Sequence, residues 1–308
     1  MFARPCADSF DLSSRPQDPE LPMIPHNTHL HIGSLLLEGI DQIDLTGPFE
    51  VLSRIPNSTY RIYGKTAAPV RDVKGLRLTP DAALADAPPL DVLHVPGGPG
   101  QEAVMDDETV LAWIRQQAAG ACSIFSVCTG ALICGAAGLL KGRRATTHWA
   151  SFHLLSYFGA MPVNERVVVD GAWVFAAGVT AGIDGALRLA AELRGEEAAQ
   201  AIQLDMVYAP EPPFGAGTPE TAPAAVLEQA RRSVRALTAQ RERTARRIAA
   251  QLGIAALATG GATSAEPEGL ARTEGLLAHP RTRVPLDRSR LDRSWPRSGS
   301  KINKNSLK

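Results

Sequence analysis

The 308-residue chain is 44% hydrophobic and 21% charged, a balance that suits a globular protein with a core of ordinary size. Its 32 basic and 32 acidic residues cancel, so composition points to no nucleic acid, membrane or strongly charged partner. No apolar run approaches the ~20 residues of a membrane span, and Met1 to Ser14 lack the basic start and apolar stretch of a secretory signal.

The four cysteines are Cys6, Cys122, Cys128 and Cys134. They form no paired C-x-x-C sets and have no histidine cluster beside them, so a zinc site is not expected. A disulfide framework is not expected either in a chain this long with its own core. The reading is one of reduced thiols in a cytoplasmic setting.

In chain order, residues 1–28 are polar and proline-rich, and read as a disordered leader. His29 to Leu37 is a buried-strand pattern. Asp44-Leu45-Thr46-Gly47-Pro48 opens a helix through Phe49, Val51 and Leu52, and Tyr60 to Tyr63 alternates as a strand. Asp91 to Val95 is a short apolar run closed by Pro96-Gly97-Gly98-Pro99-Gly100. Glu108 to Ala119 reads as a helix with Leu111, Ile114 and Ala118 on one face. Ser123 to Val127 is the next buried strand, and Thr129 to Leu140 a small-residue helix ending at Lys141-Gly142. Val167 to Phe175 is a hairpin around Asp170-Gly171. Helices follow at about 182–193 and 196–208, and a Pro/Gly/Thr-rich connection at 209–223 leads to an Arg/Ala-rich helix at 225–252. Buried strands alternating with helices imply an α/β fold, a mostly parallel sheet covered on both faces. The catalytic domain is expected over 29–254. Residues 255–308 read as a disordered, basic-leaning tail, with Leu286-Asp287-Arg288-Ser289 repeated as Leu291-Asp292-Arg293-Ser294.

Four segments carry chemistry. In Ser126-Val127-Cys128-Thr129-Gly130-Ala131 a buried strand runs directly into a helix with cysteine at the junction, the arrangement of a nucleophile elbow. A helix N-terminus there is expected to lower the thiol pKa. Cys122 and Cys134 read as structural. Pro96-Gly97-Gly98 lies at the carboxyl edge of the sheet, where amides can face a developing negative charge; Gly98 and Thr129 are the expected pair of donors. Asp44 either caps its helix or reaches Cys128 as an acid/base. In Ala145-Thr146-Thr147-His148-Trp149, His148 is either structural or the partner of a Cys-His dyad.

These motifs, with Thr180-Ala181-Gly182-Ile183-Asp184 and Tyr208-Ala209-Pro210, occur in an order and spacing that resemble the DJ-1/PfpI superfamily, and within it the isonitrile hydratases, over about His31 to Leu252. The resemblance implies a flavodoxin-like, class I glutamine-amidotransferase-like fold and a homodimer. It implies Cys128 as nucleophile, Asp44 as the acid beside it and Thr129 as a third catalytic residue, with no cofactor and no metal. The implied reaction is hydration of a small apolar isocyanide to an N-substituted formamide, in a pocket for which Ile40, Trp149 and Val179 are candidates. Two rivals share the domain. AraC-type regulators add two helix-turn-helix units, of which 225–252 supplies two helices at most. DJ-1-like redox or glyoxalase-type proteins act through the same cysteine, and Asp44 in place of Glu argues against them.

Overall fold

The apolar runs that read as strands meet in one sheet, whose central strands are buried on both faces. A computed structural model describes residues 24–254, which form one compact unit. The leader up to residue 23 and the whole of the expected tail lie outside the described residues. The sheet has seven strands: β1 (Leu30–Leu36), β2 (Ser58–Gly64), β3 (Ala82–Ala83), β4 (Val92–Val95), β5 (Ser123–Val127), β6 (Val167–Asp170) and β7 (Trp173–Ala176). Their order is β6-β7-β5-β4-β1-β2-β3. Every neighbouring pair is parallel except β6–β7, which is the hairpin expected at Asp170-Gly171, with Gly171 at φ +58.

Helices cover both faces. One face carries α1 (Gln42–Leu52), α4 (Ala181–Arg194) and α5 (Glu196–Asp205), around Ile32, Val51, Val127, Leu189 and Ile202. The other carries α2 (Glu108–Ala118), α3 (Gly130–Ala136), a 3-10 segment at Trp149–Phe158 and α6 (Ala224–Gln251), around Leu93, Ile114, Leu132, Leu155 and Ile248. This is the mixed, helix-flanked α/β sheet of the flavodoxin-like class. Two of the motifs meet where α1 packs on α4. A Cβ on Gly182 would lie 3.1 Å from Pro48 Cγ, and one on Gly47 would lie 3.1 Å from Ile183 Cγ1.

The departures from expectation have local causes. The helix expected to reach Leu140 stops at Ala136, because Gly138 turns the chain at φ +80 and the Leu139 amide bonds back to the Cys134 carbonyl. Trp149–Phe158, whose apolar run gives no clear period, winds as a 3-10 segment closed by left-handed Gly159. The stretch at 225–252 is helical as expected, one 28-residue helix at Ala224–Gln251. Ile24 is buried, and the Thr28 carbonyl accepts a hydrogen bond from Arg194 Nη2 at 2.7 Å, so the chain is tied to the core before His29. Cys128 and Cys134 are free thiols, but Cys122 is disulfide-bonded, which corrects the reading of uniformly reduced cysteines. Cys122 sits half-buried immediately before β5.

Candidate active site

β5 delivers Cys128 to the carboxyl edge of the sheet, and α3 begins two residues later. The junction is sharp. Cys128 has φ +56, the left-handed region that non-glycine residues avoid at a cost of roughly 1–2 kcal/mol. The surroundings enforce it, since the Cys128 amide donates to the Ala176 carbonyl at 2.9 Å and Thr147 Oγ1 donates to the Cys128 carbonyl at 2.6 Å. The side chain is turned out of the strand yet only 5% exposed. The backbone of Thr129 and of Val179 interacts with its sulfur and favours the charged form.

The capping question at α1 resolves in favour of a neighbour. Asp41 is the N-cap, its Oδ1 accepting from the Ile43 amide at 3.3 Å. Asp44 lies one turn in, fully buried, with Oδ2 accepting from the Gly97 amide at 3.2 Å. Its carboxyl meets the Cys128 thiol, and the two side chains interact. The contact is off the ideal hydrogen-bond axis, since Oδ1 has no well-aligned partner among the described residues. Burial, with Asp41 adding repulsion, raises the Asp44 pKa to about 7.

Burial also raises the Cys128 thiol well above its ordinary value, and the Asp44 charge adds to this; the Thr129 and Val179 amides pull the other way and do not prevail. The expectation of a thiol pKa lowered by a helix N-terminus is therefore overturned. Removing a thiolate from water costs more than the helix end and two amides return. The resting pair is a thiol facing a carboxyl that is half-ionised near neutrality.

The Pro96-Gly97-Gly98 turn is built around this pair. A Cβ on Gly97 would lie 2.6 Å from both the Thr129 amide nitrogen and Oγ1, so only glycine lets the two loops approach. Gly98 has φ +125. Its amide donates to Thr129 Oγ1 at 3.0 Å, and Thr129 Oγ1 is 3.2 Å from the Gly98 carbonyl. The expected pair of open donors, Gly98 and Thr129, is thus corrected. Gly98 spends its N–H on the threonine hydroxyl, and Thr129 turns its own N–H to sulfur.

His148 does not contact the thiol. It caps the Trp149–Phe158 segment, its Nδ1 accepting from the Ala150 amide at 3.4 Å. Burial, then the nearby Arg241 charge, lowers its pKa to about 4 and keeps it neutral. Each of the three pocket candidates has a different setting. Ile40 is fully buried in the core. Trp149 faces a groove of about 550 Å³ between its own segment and α6, shared with Asn164, Arg231 and Thr238. Val179 is placed at Cys128 by its amide instead. Arg166 and Tyr208 hold the start of α4 through Asp184, at 2.6 and 2.9 Å.

Arg241 was missed. It projects from α6, is 5% exposed, and donates to the Gly98 carbonyl and to Ser151 Oγ, each at 3.1 Å. A signal existed: Arg241, Thr244-Ala245 and Ile248-Ala249 fall at helical spacing on what becomes the buried stripe of α6. Among the described residues no group of three or more His, Cys, Asp or Glu side chains is arranged to hold a metal ion.

An α/β sheet with a buried thiol–carboxyl pair at a strand–helix elbow defines the class, and the chain belongs to the DJ-1/PfpI family, whose sequence profile matches residues 32–192. It is 48% identical over 225 residues to an isonitrile hydratase from Pseudomonas putida, covering 73% of this chain and 99% of that protein. A solved THiJ/PfpI family protein from Pseudomonas syringae superposes with a TM-score of 0.70 at 38% identity, over 77% of this chain and 99% of the other. An HTH-type transcriptional regulator from Pseudomonas aeruginosa is 29% identical over 56% of this chain, and the match covers 53% of the regulator.

Proposed function

We propose that this chain is an isonitrile hydratase that converts an isocyanide to an N-substituted formamide through a thioimidate on Cys128. The observation that carries the reading is the buried pair of Cys128 thiol and Asp44 carboxyl, with the acid poised near pH 7. The match to the hydratase over nearly all of that protein's length supports it.

The chemistry needs one proton to move twice. Asp44 takes the thiol proton as sulfur bonds to the terminal isocyanide carbon, and returns that proton to the same carbon, giving R–N=CH–S–Cys128. Water then adds to the carbon while Asp44 accepts one of its protons. Nitrogen gains a proton, the C–S bond breaks, sulfur recovers its proton, and R–NH–CHO leaves. An acid with a pKa near 7 serves both halves, because it is neither held ionised nor held neutral. Thr129 acts by position: its hydroxyl fixes the Gly98 turn whose neighbouring amide holds Asp44, and its N–H supports sulfur. A thiol only 5% exposed suits a slender terminal N≡C group.

Among the described residues no helix is long and apolar enough to cross a membrane. A cytoplasmic homodimer, without metal or organic cofactor, completes the proposal. The regulator reading is weakened by α6, a single uninterrupted helix where paired DNA-reading units would need several. The deciding assay incubates the full chain separately with cyclohexyl isocyanide and with methylglyoxal. Catalytic appearance of N-cyclohexylformamide supports the hydratase. Turnover of the dicarbonyl alone would move the chain to the glyoxalase-type branch.

A further inference from the structure

The sheet, the elbow and the Gly97–Gly98 turn are formed by the residues before the Pro/Gly/Thr-rich connection, yet one side chain buried against them arrives from beyond it. Arg241 stands on the buried stripe of α6, a helix otherwise so polar that its only other buried residues are Thr244, Ala245, Ile248 and Ala249. A guanidinium that is 5% exposed loses most of its hydration and needs compensating partners. The partners here are two neutral oxygens, the Gly98 carbonyl and Ser151 Oγ, while Nε is buried with no partner among the described residues. No carboxylate lies within ion-pair distance of it among those residues. The facing groups from neighbouring elements are Cys128 at the elbow, Glu102 on the short helix Gln101–Val104 and His148 at the start of the 3-10 segment. Glu102 is itself engaged by Thr244 Oγ1 at 2.5 Å.

We infer that Arg241 is a positioning residue that brings a fixed positive charge from the C-terminal helix to Cys128 and clamps the glycine turn that holds Asp44 and Thr129. The clamp is short. Arg241 Nη2 bonds the Gly98 carbonyl, Thr129 Oγ1 bonds the same residue from its other side, and the preceding amide, Gly97, holds Asp44 Oδ2. The guanidinium is held 3.1 Å from the Gly98 carbonyl, on the residue that bonds Thr129 next to the elbow, and a charged Cys128 sulfur favours it there. Helix α6 is docked for this task at both ends of the stripe. Arg247 pairs with Asp106, and the Tyr157 hydroxyl hydrogen-bonds to Glu242 at 3.0 Å. The inference deepens the proposed cysteine chemistry, but it concerns the thiol and not the substrate, so it is tested without turnover.

The test alkylates full-length protein with iodoacetamide and with iodoacetate at matched pH, following the Cys128 peptide by mass spectrometry. The two probes are similar in size and differ in charge, so the iodoacetate/iodoacetamide rate ratio reads the local field and cancels access. Arg241→Gln is expected to lower that ratio roughly tenfold, the scale of one nearby charge in a partly screened site. Arg241→Lys keeps the charge and loses the fork, and is expected to hold the ratio within about twofold of wild type. An unchanged ratio in folded Arg241→Gln would overturn the inference. If Arg241→Gln does not fold, the lysine variant still decides, since a tenfold drop there would show that charge is not what Arg241 supplies. Absence of isocyanide turnover in wild type would refute the hydratase reading and leave this ratio standing.

Discussion

Pro48 lies four residues beyond Asp44 in α1 and has no N–H to give to the Asp44 carbonyl. The imidazole of His94 interacts with that carbonyl instead, off the ideal hydrogen-bond axis. His94 Nδ1 is 2.6 Å from Ser34 Oγ, which in turn bonds the Tyr60 hydroxyl, and its ring stacks on Phe125 at 5.0 Å. A helix-breaking residue thus opens the backbone of Asp44 to a buried polar relay across β1, β2 and β4.

His94→Phe keeps the stacking, leaves Ser34 Oγ with the Tyr60 hydroxyl alone and removes the partner of the Asp44 carbonyl. Each buried group left unpaired costs about 1–3 kcal/mol, so chemical denaturation is expected to show a loss on that scale. The wild type carries a matching pH signature. Burial holds His94 near pKa 3 and His148 near 4, below the ordinary 6.5 of an unfolded chain. Their contribution is intact above pH 6.5 and is lost as pH falls toward 3–4, where the unfolded chain binds protons that the folded one refuses. His94→Phe should flatten that decline. A variant as stable as wild type, with the same slope, would show that the relay contributes nothing.

The pH dependence of turnover follows from the pair. Its productive state holds one proton between thiol and carboxyl. Below about pH 7 Asp44 also binds a proton, and no base remains. kcat/KM is therefore expected to rise with pH through about 7 and level off above it until the thiol ionises, the apparent value belonging to the pair. Asp44→Asn should abolish this limb and cost at least about 100-fold in rate. A wild-type profile flat from pH 5 to 8.5 would contradict the assignment of Asp44.

Gly97→Ala tests the close approach. The added methyl would meet the Thr129 amide nitrogen at 2.6 Å and the Gly130 amide nitrogen at 2.7 Å, both backbone atoms that cannot swing aside. Destabilisation by about 1–3 kcal/mol is expected, together with loss of turnover. Wild-type melting temperature and activity would mean that the two loops do not pack as described.

How much of this was legible in the sequence depended on whether the determinant was local. β5 at Ser123–Val127 and the hairpin at Asp170-Gly171 were readable because burial and turn chemistry are written into adjacent residues. The end of α3 at Ala136 is less legible, because Gly138 is one small residue in a run of them. Asp41 and Asp44 both suit a helix start, and composition does not say which one caps; the helix begins one residue after Asp41, which frees Asp44. The direction of the Cys128 pKa was misjudged because a helix N-terminus is a local feature and depth of burial is not. Arg241 was invisible for the same reason: its partners Ser151 and Gly98 lie 90 and 143 residues away.

The most direct test of the account measures formamide formation from a simple alkyl isocyanide by wild-type protein and by Cys128→Ala. The left-handed backbone at this position is held by Ala176 and Thr147 through main-chain atoms, so the variant is expected to fold. Wild type should produce formamide catalytically, and Cys128→Ala should produce none above the uncatalysed background. Formamide production by the folded alanine variant at a rate near wild type would contradict covalent catalysis at Cys128.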